Sequence, residues 1–579
     1  MASVDGHSMS DREGAALPRD DPHPQHPTDD ENASQLHVEE EEDPLDNFAA
    51  VISALNLDAL PQLAAEARQK LDAGIEYGNP TVGEPMTGAY HILYPLDFAD
   101  NVRWIVKVPL NGVEGKWDEL SAAALTAEAN TMRILKRETT IPLPQVFDFS
   151  STTDNKLGCP YILMSFISGR PLQDVWFPSD DVDLDTLHSR RVRALEGVAS
   201  AMLQLGKYTF DRSGSPLFDS DGNITGIGPL RCVDRKAELD RWFVHGDLSN
   251  EPVYVKQPAS SDAKGFYTFA MDLHPPPEAH NGPKGSHLLL RDLVSWLPEP
   301  VGPKPFVLTH PDFDIQNVLV SEDGQVQGII DWDGVAAVPR AIGNESYPSW
   351  LTRDWDPMMY RYEGDEEDDE EDDEESDEDG HEDDEEDDED DEDDEGDDSG
   401  GEKDDDKDDD KEDERETDKD EEPNEDKKED EDEDDDEPKG PLEDSPETLK
   451  RYRQVYRQCL LKAQRRSGFK GRVSSLWTRW SNVVSSCTGL RLPATSDDIT
   501  RQNLITQNLA IAASNPACLS GILRKVTKEI LKALGKKNRR SYLLLEYMDI
   551  EEGLAKGELD ESVLEDLKAG FENLLELSL

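Results

Sequence analysis

Cysteine is scarce in this 579-residue chain: there are five, Cys159, Cys232, Cys459, Cys487 and Cys518, and none stands in C-x-x-C spacing. An odd, scattered set of thiols excludes both a disulfide framework and a zinc site of ordinary ligand spacing, and it suits a reducing compartment. Long apolar runs are missing as well. Nothing approaches the ~18 apolar residues that would span a bilayer, so no membrane segment is expected. The N-terminal stretch carries Asp11, Asp20, Asp21, Asp29, Asp30 and Glu31. It lacks the apolar core of a secretory signal and the acid-poor, Arg-rich pattern of a mitochondrial presequence. Elimination leaves the cytosol or nucleus as the expected location.

Positive charge is the other shortage. The chain has 59 Lys and Arg against 130 Asp and Glu, a formal net charge of -71. One segment is responsible: Glu363 to Glu437 holds roughly 57 acids against 7 bases, so about 50 of the excess negative charges sit there. Self-repulsion and the absence of apolar residues forbid a core, and residues 363–440 are expected to be an expanded, disordered acidic insertion. The Pro-, Ser- and acid-rich residues 1–44 are expected to be a disordered tail for the same reason. The basic cluster Lys462 to Arg472 has no interleaved aromatics, so nucleic-acid binding is not expected. The acidic coil could serve as a solubilising spacer or recruit a basic protein partner.

What the sequence does have is concentrated between Phe306 and Asp333, FVLTHPDFDIQNVLVSEDGQVQGIIDWD. Period and breakers give a strand over Phe306 to Leu308, a polar loop over His310 to Gln316, and a hairpin of Val318–Val320 and Val326–Ile330 turning at Glu322-Asp323-Gly324. Asp331 ends that hairpin. His310, Asp312 and Asn317 fit the H-x-D-x-x-x-x-N spacing of a kinase-type catalytic loop, and Asp331 stands where the metal-binding Asp belongs. Phosphoryl transfer wants this set, because its transition state must be positioned and charge-neutralised by a base for the acceptor hydroxyl and hard oxygen ligands for Mg2+. On this reading Asp312 is the base, Asn317 and Asp331 hold metal, and His310 braces the loop. His245-Gly246-Asp247 imitates the start of the motif, but Pro252 stands where the Asn should be. It is read as a surface loop.

The carrying residues His310, Asp312, Asn317 and Ile330-Asp331-Trp332, followed by VPRAIGNESYPSWLTRDWDP at 338–357, resemble the aminoglycoside phosphotransferase family of protein-kinase-like enzymes, in the divergent form common in fungal genomes. Family members more often have Gly where this chain has Pro311, and His-Pro-Gly where it has Asp314-Ile315-Gln316. The resemblance implies an α+β, protein-kinase-like two-lobe fold with a small β-rich N-lobe and a larger, mainly helical C-lobe. It implies ATP and Mg2+ as cofactors and backbone hydrogen bonds to adenine near Ser165, Phe166 and Ile167.

The flanking sequence fits such a layout. Residues 45–71 read as two short helices, the second capped by Gly74, and lead a small nucleotide-binding lobe ending at 167. Tyr90–Tyr94 and Val102–Val108 are β-rich runs preceded by Thr87-Gly88-Ala89. Lys107, a cation amid apolar residues beneath the Gly88 turn, could hold the ATP phosphates, and Glu128 on the helix Glu119–Lys136 could pair with it. A large catalytic lobe is expected over 168–362, with a core helix at 186–205. Residues 207–305 read as loop-rich, mixing short strands with Pro-Pro-Pro at 275–277 and one helix at 287–297, and they are the best candidates for acceptor recognition. Helices within 441–579 are expected to pack on the large lobe, with a separate C-terminal helical domain as the alternative.

The function expected is ATP- and Mg-dependent transfer of the γ-phosphate to a hydroxyl of a small-molecule acceptor. A catalytically silent kinase-like binding module whose acidic coil recruits basic partners is the alternative. A protein kinase is disfavoured, since no D-F-G or A-P-E string follows Asn317.

Overall fold

The computed structural model describes residues 44–576, apart from 72–74, 76, 180–181, 248, 250, 277–279, 300–301, 358–359, 363–442, 468–497 and 535–539. The N-terminal tail up to residue 43, Gly74, the acidic run and the far end of the basic cluster lie outside the described residues. The chain divides into Met1–Asp46 and Asn47–Leu579, and everything below concerns the second unit. Among the described residues no single helix is long and apolar enough to cross a membrane.

The small lobe begins with α1 (Ala49–Ala54) and α2 (Leu60–Leu71). The stripe Leu60, Leu63, Ala64 and Ala67 of α2 is buried, and Arg68 donates to both oxygens of Asp100 at 2.9 and 2.5 Å. An antiparallel sheet follows, made of β1 (Thr81–Val82), β2 (Met86–Thr87), β3 (His91–Asp97), β4 (Arg103–Pro109), β5 (Val146–Ser150) and β6 (Tyr161–Ser165) in the order β1-β3-β4-β6-β5, with β2 also on β3. Apart from Arg103, every residue of β4 is buried. Its apolar run is what a central strand covered on both faces requires.

Helix α3 (Glu119–Glu138) crosses this sheet between β4 and β5. Its first turn is capped by Asp118, whose side chain accepts from the Ser121 N–H at 2.7 Å. Leu125, Met132 and Leu135 face the core, and Glu128, at helical spacing from Leu125 and Met132, lies on the same buried face.

The large lobe starts with β7 (Arg170–Pro171), α4 (Leu172–Trp176) and α5 (Leu184–Leu205), whose Ala194, Leu195, Val198, Ala199, Met202 and Leu205 are buried. Residues 207–305 hold more regular structure than the sequence pattern suggested. They form β8 (Thr209–Phe210), β9 (Ser215–Phe218), β10 (Ile224–Gly228), β11 (Leu230–Val233), α6 (Arg235–Phe243), β12 (Tyr254–Gln257), α7 (Ala263–Leu273) and α8 (Asn281–Trp296). Helix α6 is short and strongly polar, so its apolar period is faint. Both α6 and α7 start on Asp caps, Asp234 accepting from Ala237 N and Asp262 from Lys264 N, which is where a signal was available.

Residues 306–339 supply β13 (Phe306–Thr309), β14 (Val318–Val320), β15 (Val326–Ile329) and β16 (Ala336–Pro339). They build two three-stranded sheets, β16-β13-β8 and β15-β14-β7. After the acidic run, α9 (Pro446–Ser467) packs along α5. Asp444, just ahead of α9, accepts from Arg191 at 2.9 Å and from the Trp176 indole at 2.6 Å, all buried. The chain that leaves the large lobe at residue 362 thus returns to the centre of the same lobe. Helices Asp498–Ser514, Leu519–Ala533, Arg540–Lys556 and Glu561–Glu576 pack against α7, α8 and one another. The architecture is α+β and kinase-like, with a small β-rich lobe beside a larger helical one.

Candidate active site

Strand β4 carries Lys107 into the cleft, where its side chain is almost wholly buried. The ammonium donates to Glu128 Oε1 on α3 at 2.7 Å and to Asp331 Oδ1 at 2.8 Å. One cation therefore joins the small-lobe sheet, α3 and the end of the β14–β15 hairpin. Burial works against its charged form, but Asp331, Glu128 and Asp333 outweigh burial and raise the Lys107 pKa. Burial and the neighbouring acids push Glu128 upward while Lys107 pulls it down. With a carboxylate oxygen at 2.7 Å, we take the pair as ionised. Such a buried pair resists loss of either partner more than it adds to stability.

Asp331 follows β15 with φ 59°, in the left-handed region that non-glycine residues rarely occupy. Backbone strain of this kind, of order 1–3 kcal/mol, persists where the surroundings over-determine it. Here the bend turns the carboxylate back onto Lys107. Burial would raise its pKa, but Lys107, His91 and His310 hold it well below the usual carboxylate range.

The loop after β13 is braced from within. His310 is buried, with Nε2 2.8 Å from the Ile330 carbonyl and its ring edge-on to Trp332 at 4.6 Å. The neutral tautomer with the proton on Nε2 satisfies that contact. Burial depresses the His310 pKa to about 4, so it stays neutral and acts as a strut. Trp332, fully buried, donates to the Ile329 carbonyl at 3.0 Å. Asp314 caps the short turn Ile315–Asn317, accepting from Ile315 N, and the Asn317 amide donates to Asp312 Oδ2 at 2.8 Å and to the Asp312 carbonyl at 3.0 Å. Burial and the nearby Asp314 charge raise the Asp312 pKa.

Of the three residues named for adenine, Ser165 N donates to the Gln145 carbonyl and Phe166 N to the Arg103 carbonyl. Those two N–H groups are engaged within the lobe, so at Ser165 and Phe166 the carbonyls, and at Ile167 the backbone, are what the expected adenine contacts would use. Gly88 sits in the β2–β3 turn with its N–H on the His91 carbonyl. A Cβ there would meet only that carbonyl at 3.7 Å, so the turn does not demand glycine. His245 and Asp247 lie exposed in the segment after α6, as expected of a surface loop.

Three cleft residues escaped the sequence pattern. Asp333, two positions past Asp331, accepts from Arg231 at 2.5 and 2.7 Å and lies 3.7 Å from His91 Nε2. Burial and Lys107 drive the His91 pKa down to about 4. The repeat Asp-Trp-Asp was the one available signal for Asp333. Arg231, on β11, came from a region whose pairing no pattern revealed.

A metal would meet hard oxygen donors here: the Asp331 carboxylate and, because its amide nitrogen is turned to Asp312, the Asn317 carboxamide oxygen. Among the described residues no cluster of three or more His, Cys, Asp or Glu marks an all-protein metal cage. One carboxylate and one amide are what Mg2+ takes when phosphates and water complete its shell, so the residues fit that ion.

Asp312 also lines a cavity of about 660 Å3, bounded by β11, α7, α8, the His310–Phe313 loop and the helix Asp498–Ser514.

Residues 272–342, which include His310, Asp312, Asn317 and Asp331, match the model of the Phosphotransferase enzyme family. The chain is 21% identical over 322 residues to "Altered inheritance of mitochondria protein 9, mitochondrial" of Kluyveromyces lactis, covering 48% of this chain and 51% of that protein. It is 22% identical over 330 residues to the protein of the same name from Eremothecium gossypii, covering 48% and 52%. The chain thus spans about half the length of the curated relatives it matches. Among solved structures, the GDP and kanamycin complex of APH(2")-IIia aligns at 16% identity over 49% of this chain and 75% of its own, with a TM-score of 0.28. The family resemblance drawn from residues 306–357 is met by the family match. The expected cytosolic or nuclear location is corrected: both of these relatives are named as mitochondrial proteins.

Proposed function

We propose that this protein transfers the γ-phosphate of Mg-ATP to a hydroxyl of a small-molecule acceptor. The observation that carries the reading is the double contact of Lys107. It pairs with Glu128 and with Asp331, at the end of the hairpin whose first strand follows directly on the loop of Asp312 and Asn317.

In the reaction the acceptor oxygen forms a bond to the γ-phosphorus as the bond from that phosphorus to the β-phosphate bridging oxygen breaks, and ADP leaves. The acceptor proton passes to Asp312. A raised pKa suits a base that must take up a proton. Asn317 fixes the Asp312 carboxylate in place, Lys107 meets the phosphates, and Glu128 holds Lys107. Asn317 and Asp331 would hold Mg2+, which supplies charge neutralisation across the phosphates when bound. Ile167 offers its backbone to the purine edge.

The rival reading, a silent binding module, gives no role to a raised-pKa Asp312 facing a cavity large enough for a substrate. Asp312→Asn separates the two. Turnover with Mg-ATP should fall roughly 10²–10⁴-fold while Mg-ATP affinity is kept. Equal turnover in variant and wild type would remove Asp312 from the chemistry.

A further inference from the structure

The large cavity touches Asp312 but none of the residues assigned to phosphate or metal: Lys107, Glu128, Asn317 and Asp331 are absent from its lining among the described residues. A ligand there would meet the base without meeting the residues assigned to the nucleotide. That is the position of an acceptor. Its volume of about 660 Å3 falls inside the range usual for small-molecule sites, roughly 300–1,000 Å3.

The chemistry of the walls narrows the ligand. Phe266, Phe269, Met271, Leu290, Phe313 and Ile511 make the body of the cavity apolar. The charged groups on its lining are engaged by protein partners. Asp234 lies 2.8 Å from His274 Nε2, Arg235 donates to Glu238 at 2.9 Å, Lys236 donates to Asp240 at 2.5 Å, and Asp312 accepts from Asn317. No set of uncommitted carboxylates waits for ammonium groups. A polyamino sugar entering this space would strip water from several ammonium groups and meet, besides the His274-bound Asp234, a single carboxylate, Asp312, whose partner is the neutral Asn317 amide rather than a cation.

We propose that the cavity is the acceptor compartment and that it takes an alcohol carried on a predominantly apolar body rather than a polyamino sugar. The inference rests on the phosphotransferase reading above and adds the substrate class. It also assigns work to the chain beyond the acidic run. Ala510 to Ser514, from the helix Asp498–Ser514, line one wall, and Gln507 pins that helix to the Tyr347 backbone through two hydrogen bonds of 3.1 Å.

The test uses the full chain with decan-1-ol as the apolar alcohol and kanamycin as the polycationic polyol, with Mg-ATP binding measured alongside by calorimetry. Decan-1-ol should bind at least tenfold more tightly than kanamycin. Ala270→Trp on α7 and Ser514→Trp on the opposite helix should each weaken decan-1-ol at least tenfold, with Mg-ATP affinity kept within twofold. Ser514 is exposed, so its variant keeps the test valid should Ala270→Trp misfold. Kanamycin binding as well as decan-1-ol, no binding of decan-1-ol, or indifference to both tryptophans would overturn the inference while leaving phosphotransfer standing. Tryptophan-sensitive decan-1-ol binding without any Mg-ATP binding would keep the cavity as a site for apolar alcohols but sink the phosphotransferase reading and, with it, the acceptor role.

Discussion

In the cleft around Lys107, position is fixed by charge: Lys107 is clasped by Glu128 and Asp331, and Asp333 by Arg231. In the cavity lined by Asp312 it is fixed by apolar packing, with helices from two distant parts of the chain closing a roomy space. In the proposed function the first is the nucleotide side and the second the acceptor side, and the contrast follows from what each would recognise. Phosphates and a divalent ion present the same charges whatever the acceptor, so a short set of ionic residues suffices and cannot vary much. An acceptor is defined by shape, which is written in segments between and beyond the motif. Perturbing the first side should therefore cost stability and pH tolerance, whereas perturbing the second should change selectivity.

The largest expected effect is on the clasp. Glu128→Ala leaves Lys107 buried with only the partly exposed Asp331 as its near partner and should destabilise the fold by about 3–5 kcal/mol, read as a shift in denaturant midpoint. A change within half a kcal/mol would mean that the pair is not buried as described.

Next comes acid tolerance. His91 and His310 are depressed to about 4 in the fold, against about 6.5 in an unfolded chain. Between those values the unfolded state binds more protons, so stability is present above pH 6.5 and is lost as pH falls toward 4, by up to about 3 kcal/mol per histidine. His91→Asn should flatten this dependence of the melting temperature relative to wild type. An unchanged slope would show that His91 protonates freely in the folded state.

The smallest effect lies at the boundary between the two sides. Asp314 raises the Asp312 pKa, so Asp314→Asn should move the acid limb of kcat/KM to lower pH while its side-chain oxygen still caps the turn. A limb that stays in place, or moves up, would mean that another group sets it.

How far the sequence revealed this arrangement follows the same division. The nucleotide side was legible because its residues sit on elements with strong local signals: Lys107 amid a β-rich run, Glu128 on an apolar helical period, and Asp312, Asn317 and Asp331 at fixed spacing around a hairpin. Arg231 was not, because β11 and β12 pair across an intervening helix, and no pattern in four-residue strands tells which partner they choose. Helices α6 and α7 were missed where charge or aromatic content blurred the period. The acceptor cavity could not be read at all, since Phe266 and Ile511 are about 245 positions apart and meet only through tertiary packing. The location was misread for a different reason: it was argued from the lack of a leader pattern, and relatives named as mitochondrial overturn it.

The account stands most directly on whether Asp331 holds the metal–nucleotide complex beside Lys107. Calorimetric titration of ATP into wild type and Asp331→Ala, each with and without Mg2+, measures this. Wild type should bind ATP far more tightly with Mg2+ than without, and the variant should lose at least about tenfold in Mg-ATP affinity together with most of that Mg2+ dependence. Equal Mg-ATP affinity in the two proteins would contradict the assignment of the cleft as a phosphoryl-transfer site.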